Sequence, residues 1–129
     1  MIKTLESSKN GYKPLIDFES WRVAILNSLK KMGFNDLKYL ERHIKTDEVF
    51  VLLQGKASLI HAGQGKEPKK LEKVRMKKNI FYNVKKASWH TVLMGANTKI
   101  LIVENKNTTK KNSEYKDLTE LQIKILKEI

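Results

Sequence analysis

Between residues 21 and 105 the chain is broken into short runs of strand character, and this regular punctuation constrains its fold more than any other feature. Residues 21–26 (Trp-Arg-Val-Ala-Ile-Leu) alternate large apolar side chains with smaller or polar ones. Residues 37–43 read as a strand that puts Tyr39, Glu41 and His43 on one face by the period of two. Residues 49–53 are apolar on both faces, as expected of a strand buried from both sides. Gly55 interrupts them and residues 57–61 resume the pattern, so the two runs read as a hairpin. After a Gly- and Pro-containing loop at 62–68, further strands are expected at 79–84, 89–94 and 99–104. Short strands at this spacing imply an all-β antiparallel sandwich or barrel.

The C-terminus follows a different period. Thr119-Glu120-Leu121-Gln122 is a capping box, with Leu118 and Ile123 placed as a hydrophobic staple, so a helix is expected over about 119–128. Leu121, Ile125 and Ile129 form one apolar stripe, expected to pack on the outside of the barrel or on a partner subunit. The chain is thus read as a single domain, with a barrel at about 15–105, a linker at 106–117 and a C-terminal helical segment at 118–129. At 129 residues it is long enough for one real core.

Two histidine-containing stretches carry the chemistry. His43 is followed by Glu48 and then, after six residues, by Gly55; His90 closes Tyr82-Asn83-Val84-Lys85-Lys86-Ala87-Ser88-Trp89-His90. These residues resemble the two motifs of the cupins, Gly-x5-His-x-His-x(3,4)-Glu-x6-Gly and Gly-x5-Pro-x-Gly-x2-His-x3-Asn. His43, Glu48 and Gly55 match the first at the correct spacing, while Glu41 stands in place of its first histidine and Asn35 in place of its opening glycine. His90 matches the second, with Lys85, Ala87 and Met94 in place of Pro, Gly and Asn. The resemblance covers roughly residues 21–105 and implies a cupin-like double-stranded β-helix, or jelly roll. It also implies a homodimer, as many cupins are.

In the cupin pattern three histidines and a glutamate converge on a divalent metal. The matching set here is Glu41, His43, Glu48 and His90, two nitrogen and two oxygen donors suited to iron, manganese, nickel or zinc. Phe50 and Leu52 share the parity of Glu48 and are expected to line the same cavity, and Tyr39 and Tyr82 to offer it hydroxyls. Trp89, adjacent to His90, faces the other way, into packing or a subunit contact. His61 matches no cupin position and reads as structural or exposed. Without a metal, the four groups form an acid–base cluster with His90 as proton acceptor, suited to isomerisation or epimerisation of a small polar substrate.

Composition removes other classes. There is no cysteine, which excludes disulfides and thiolate metal sites, and no Gly-x-Ser-x-Gly for a nucleophilic hydrolase. Gly63-Gln64-Gly65-Lys66 lacks the rest of a phosphate loop. No secretory signal or apolar run of about 18 residues appears, so a cytoplasmic protein is expected, with no membrane partner. The net charge is +12, but among the basic residues only Arg22, Arg42 and Arg75 are arginines. The densest stretch, 66–86, interleaves only Phe81 and Tyr82, so it reads as a solvated surface rather than a nucleic-acid platform. The leading expectation is a protein that binds a small polar or acidic molecule in the barrel. A divalent metal and metal-dependent turnover of isomerase, lyase or oxygenase type accompany it. The alternative is a non-catalytic ligand-binding or sensor module with a degenerate metal site, and the third a Lys-rich nucleic-acid binder.

Overall fold

A computed structural model describes residues 1–129. Ten strands run in the order β1 (Gly11–Phe18), β2 (Trp21–Ser28), β3 (Tyr39–His43), β4 (Glu48–Gln54), β5 (Ala57–His61), β6 (Glu72–Arg75), β7 (Phe81–Val84), β8 (His90–Met94), β9 (Thr98–Asn105) and β10 (Ser113–Asp117). One helix, α1 (Glu120–Glu128), closes the chain. The strands form two five-stranded sheets, β1-β2-β9-β4-β7 and β10-β3-β8-β5-β6, all named pairs being antiparallel.

The alternation along each strand decides which face meets the other sheet. Ala24, Phe50, Leu52, Ile100 and Ile102 of the first sheet meet Ala57, Leu59 and Met94 of the second in one apolar core. The opposite faces of β3 and β5 supply Leu40 and Ile60, and the residue just before β8 supplies Trp89, to a second core, capped by Leu37, Leu71 and Leu126. The centre of the second sheet, β3, β8 and β5, is therefore buried on both sides, and its inner face carries polar groups at one end.

Several expectations change. Residues 106–117 are not simply a linker: Ser113–Asp117 pairs in register with His43 to Tyr39 as an edge strand. The barrel begins at Gly11 rather than near 15, with β1 paired to β2 around a bulge between Pro14 and Ile16. The short strand β6 lies inside the lysine-rich stretch, on the outer edge beside β5. β7 starts at Phe81, since Asn79 takes a left-handed turn (φ +65°) just before it.

The helix forms where its cap predicts. The Thr119 hydroxyl accepts from the Gln122 N–H, and the Gln122 side chain accepts from the Thr119 N–H. Its packing face differs from expectation. Leu126 is fully buried, whereas Leu121, Ile125 and Ile129 stay exposed. The helix lies over the 3-10 turn at Phe34–Asp36 and the outer core, and that surface is met by Leu126 at one position off the longer stripe. No helix is long and apolar enough to cross a membrane.

Candidate functional site

The inner face of the sandwich opens at one end into a cavity of about 470 Å³. β3 brings Glu41 and His43 to it by the period of two, β4 brings Glu48 at its first residue, and β8 brings His90 at its first. Glu41 and His90 are direct cross-strand partners. All four residues of the expected set therefore line one wall, although they lie up to 49 positions apart in the chain.

Glu48 is the centre of the arrangement. One of its oxygens is 3.1 Å from His90 Nε2 and the other 3.2 Å from His43 Nε2. Glu41 stands further out, 3.9 Å from His43 Nε2, on the more exposed rim. The two imidazole tautomers follow from their other nitrogens. His90 Nδ1 lies 2.8 Å from the Ser88 carbonyl, which can only accept, so this nitrogen carries a proton. His43 Nδ1 lies 2.7 Å from Ser113 Oγ, whose own proton is donated to the Thr109 carbonyl at 2.7 Å. That hydroxyl must then accept from His43. Both rings thus have Nδ1–H tied back and Nε2 turned toward Glu48, the orientation that carbonyl or hydroxyl acceptors behind a metal-binding histidine impose.

Such a cluster has an electrostatic requirement. Burial alone would push Glu48 toward its neutral form, but His43 and His90 overcome this and hold its carboxyl well below the usual range. The same contact acts in reverse on the rings: burial disfavours their protons, yet Glu48 raises both imidazoles above their ordinary value. Without a cation between them, the short contacts to Glu48 need protons on Nε2. A metal satisfies the same lone pairs directly. Cis donors around an octahedral ion at ~2.1 Å stand ~3 Å apart, close to the 3.1 and 3.2 Å separations here. Glu41, His43 and His90 form one group able to share an ion, and His43, Glu48 and Glu104 another.

Glu104 is a site residue that motif spacing did not reveal. It ends the buried row Ile100-Ile102-Glu104 on β9, so its signal was a carboxylate on the inward parity of an expected strand. Burial, then its hydrogen bond with Glu48 and the charge of Glu48, push it up to about 8, which favours its protonated form in the metal-free protein. Tyr12 of β1 donates a hydrogen bond to it, and Arg22, held by Asp17 at 2.9 Å, also borders the cavity. Tyr115 and Ser113 come from β10, which the sequence reading passed over.

Of the residues expected to line this cavity, Phe50 does so, its ring 6.0 Å from that of His90. Tyr39 does not: it lies outside, half-exposed, with its ring edge-on to Tyr115 at 5.3 Å. Leu52 lies in the core two residues deeper than Phe50 and borders a cavity at the far end of the sandwich. Tyr82 borders a smaller side cavity of about 360 Å³, and its hydroxyl accepts from the Lys77 N–H. His61 sits at the surface, 3.3 Å from Glu72. Trp89 is buried on the opposite face from His90, donating to the Gly65 carbonyl at 2.8 Å beneath the Arg42 guanidinium.

No family model matches the chain, and no curated protein matches it in sequence. Its fold, however, is shared with solved structures. A cupin-2 domain protein from Shewanella frigidimarina is similar over 78% of this chain and 85% of its own, at 14% identity and a TM-score of 0.56. An RmlC-like cupin from Desulfovibrio desulfuricans is similar over 81% of this chain and 94% of its own, at 12% identity and 0.56. A variant of Streptomyces PAC13 with uridine is similar over 93% of this chain and 95% of its own, at 8% identity and 0.63. Pac13 is described as a nucleoside dehydratase. The two-sheet antiparallel barrel with its C-terminal helix is the cupin fold.

Proposed function

We propose that this cupin-fold chain binds a small polar molecule in the 470 Å³ cavity, beside a divalent-metal centre held by His43, Glu48 and His90 with Glu41 at the rim. The observation that carries this reading is the pair of imidazoles whose Nδ1–H groups are tied back while both Nε2 atoms converge on one buried carboxylate. Iron, manganese, nickel and zinc all accept such a mixed nitrogen and oxygen set. A metal bound there would supply Lewis acidity toward a substrate oxygen. The chain's own residues do the rest. Ser88 and Ser113 fix the two rings, and Phe50 and Ile102 make one wall apolar.

A second reading is metal-free acid–base chemistry, in which water is eliminated from a hydroxylated substrate. Once one imidazolium has given up its Nε2 proton to solvent, the neutral ring takes the carbon-bound proton, and Glu104 protonates the departing hydroxyl. It is supported by the protonated Glu104 and by the shared fold with a protein described as a nucleoside dehydratase.

Elemental analysis of the purified, tag-free chain separates the two. The metal reading expects near-stoichiometric transition metal, lost by roughly a hundredfold in affinity in His90→Ala. Metal-free protein that ignores added iron, manganese, nickel and zinc overturns it. The second reading then stands only if metal-free protein releases water from nucleosides or related polyols and His90→Ala does not.

A further inference from the structure

The far end of the sandwich holds a separate cavity of about 550 Å³. Five basic side chains line it, Lys31, Lys56, Lys73, Arg75 and Lys78, and no carboxylate does. They come from three places in the chain, the segment after β2, the β4–β5 turn and the β6–β7 region, so this is a convergence in space and not a run in sequence. Lys31, Lys56, Arg75 and Lys78 make no ion pair. Asp36, near the rim in sequence, turns its carboxylate to the Gly33 N–H at 2.7 Å. Like charges gathered around a concave surface raise its potential, and an anion relieves the repulsion.

Lysine is abundant throughout this chain, so lysines alone would mean little. Two rarer residue types point the same way. Of the three arginines, Arg22 pairs with Asp17 and Arg42 with Glu114, whereas Arg75 faces this cavity with no carboxylate. Guanidinium is the side chain whose planar fork matches phosphate or carboxylate. The chain also has four methionines, and every one except Met1 lines this cavity. Met76 and Met94 are buried there beside Leu52. Thioethers make a mouldable apolar floor and favourable contacts with aromatic rings. Gly33, Gly55 and Gly95 also line it, with Phe34 and Leu93 beside the methionines.

We infer that this cavity is a second binding site, for a small phosphorylated molecule with a flat aromatic body, its phosphate held by Arg75 and the lysines and its ring laid on Met32, Met76 and Met94. It uses none of the residues of the His/Glu cavity. About seven residues of strand, ~23 Å at ~3.3 Å per residue, separate Glu48 from Gly55. A nucleoside monophosphate has the required chemistry.

The test is titration of the isotope-labelled full chain with AMP, inorganic phosphate and a short single-stranded oligothymidylate, followed by amide shifts and calorimetry. One AMP should bind per chain, at least about tenfold more tightly than phosphate, with shifts centred on Gly33, Ser58 and Gly95. Arg75→Glu with Lys78→Glu should weaken AMP by roughly tenfold or more, while Lys124→Glu with Lys127→Glu on α1 leaves it unchanged. His90→Ala should bind AMP like the parent, which keeps this result independent of the other cavity. Equal losses in both charge-reversed pairs, or phosphate binding as tightly as AMP, overturn the inference. So does oligothymidylate that competes for the site, binds more tightly than AMP and shifts amides along the whole of 66–86, which would mark a nucleic-acid face instead.

Discussion

At one end of the barrel, Glu48 sits between two imidazoles at 3.1 and 3.2 Å; at the other, Lys31, Lys56, Arg75 and Lys78 surround a cavity that has no acid. Strand β4 begins at the first and reaches the second. The acid–imidazole end is built inside the sandwich, where charge is tolerated only if each group has a partner. Its members are accordingly tied to one another and to backbone carbonyls. The basic end is built at the rim and on turns, where water screens the unpaired cations. Paired charge in a dry site is poised for chemistry or metal, and unpaired charge in a wet one for capture of an anion.

The turns at the two ends make the same contrast in backbone terms. Gly55 ends β4 at the basic end with φ +84°, and an added Cβ would stand 2.4 Å from Thr98 Oγ1 and 2.7 Å from Thr98 Cα. Ala87, before His90, has φ +66° without being glycine. There Asp47 does the holding, accepting from the Lys86 N–H at 2.8 Å and from Lys85 Nζ at 2.9 Å, while the Ala87 N–H donates to the His43 carbonyl.

The comparison can be broken in order of size. Gly55→Ala meets backbone as well as forbidden φ, and should cost about 3 kcal/mol or more of stability by chemical denaturation. A loss below about 1 kcal/mol would mean that the basic-end turn is not rigid as described. Next is pH. In metal-free protein, His43 and His90 hold their protons more tightly folded than unfolded, so their stabilisation is present below about pH 6.5 and lost as pH rises through their raised values. Glu104, raised to about 8, has the same sign, losing its contribution between about 4.5 and 8. Glu48, depressed, acts oppositely and loses its contribution only as pH falls below about 4.5. Thermal midpoints should therefore peak near pH 4.5 and decline toward pH 9, more steeply above about pH 6.5. A flat profile in metal-free protein would dissolve the paired-charge account of that end. The smallest effect is Ala87→Gly, which relieves left-handed strain and should stabilise by up to about 1 kcal/mol. Destabilisation there would show that the turn depends on alanine's side chain.

What the sequence disclosed of the fold followed burial. Of the seven strands read from it, six lie inside the sheets, where apolar parity is strong, and the seventh, at 79–84, is the edge strand β7 with its apolar Phe-Tyr-Asn-Val. The three strands it did not show, β1, β6 and β10, are all edges. β1 carries Pro14 and a bulge, and β6 and β10 read Glu-Lys-Val-Arg and Ser-Glu-Tyr-Lys-Asp. Natural sheets blunt their edges with charge, proline and bulges, which erases the pattern a reader looks for. The helix was legible from its cap because capping is local, but its buried face was not, since the surface under Leu126 is made by distant segments.

The candidate site divides along the same line. Period-two parity put Glu41 and His43 on one face, a local property of a strand, and only the resemblance to the cupin motifs brought Glu48 and His90 into relation with them. Only the tertiary structure added Glu104 and Tyr12, separated by 92 residues, and placed Ser113 behind His43 across 70. It alone showed that Leu52 and Tyr82 belong to other cavities, and that Arg75 and three methionines share one. Parity tells which side of a sheet a side chain takes; how far along the barrel it lies, and what it meets from the opposite sheet, depends on register and sheet order, which are fixed by long-range pairing.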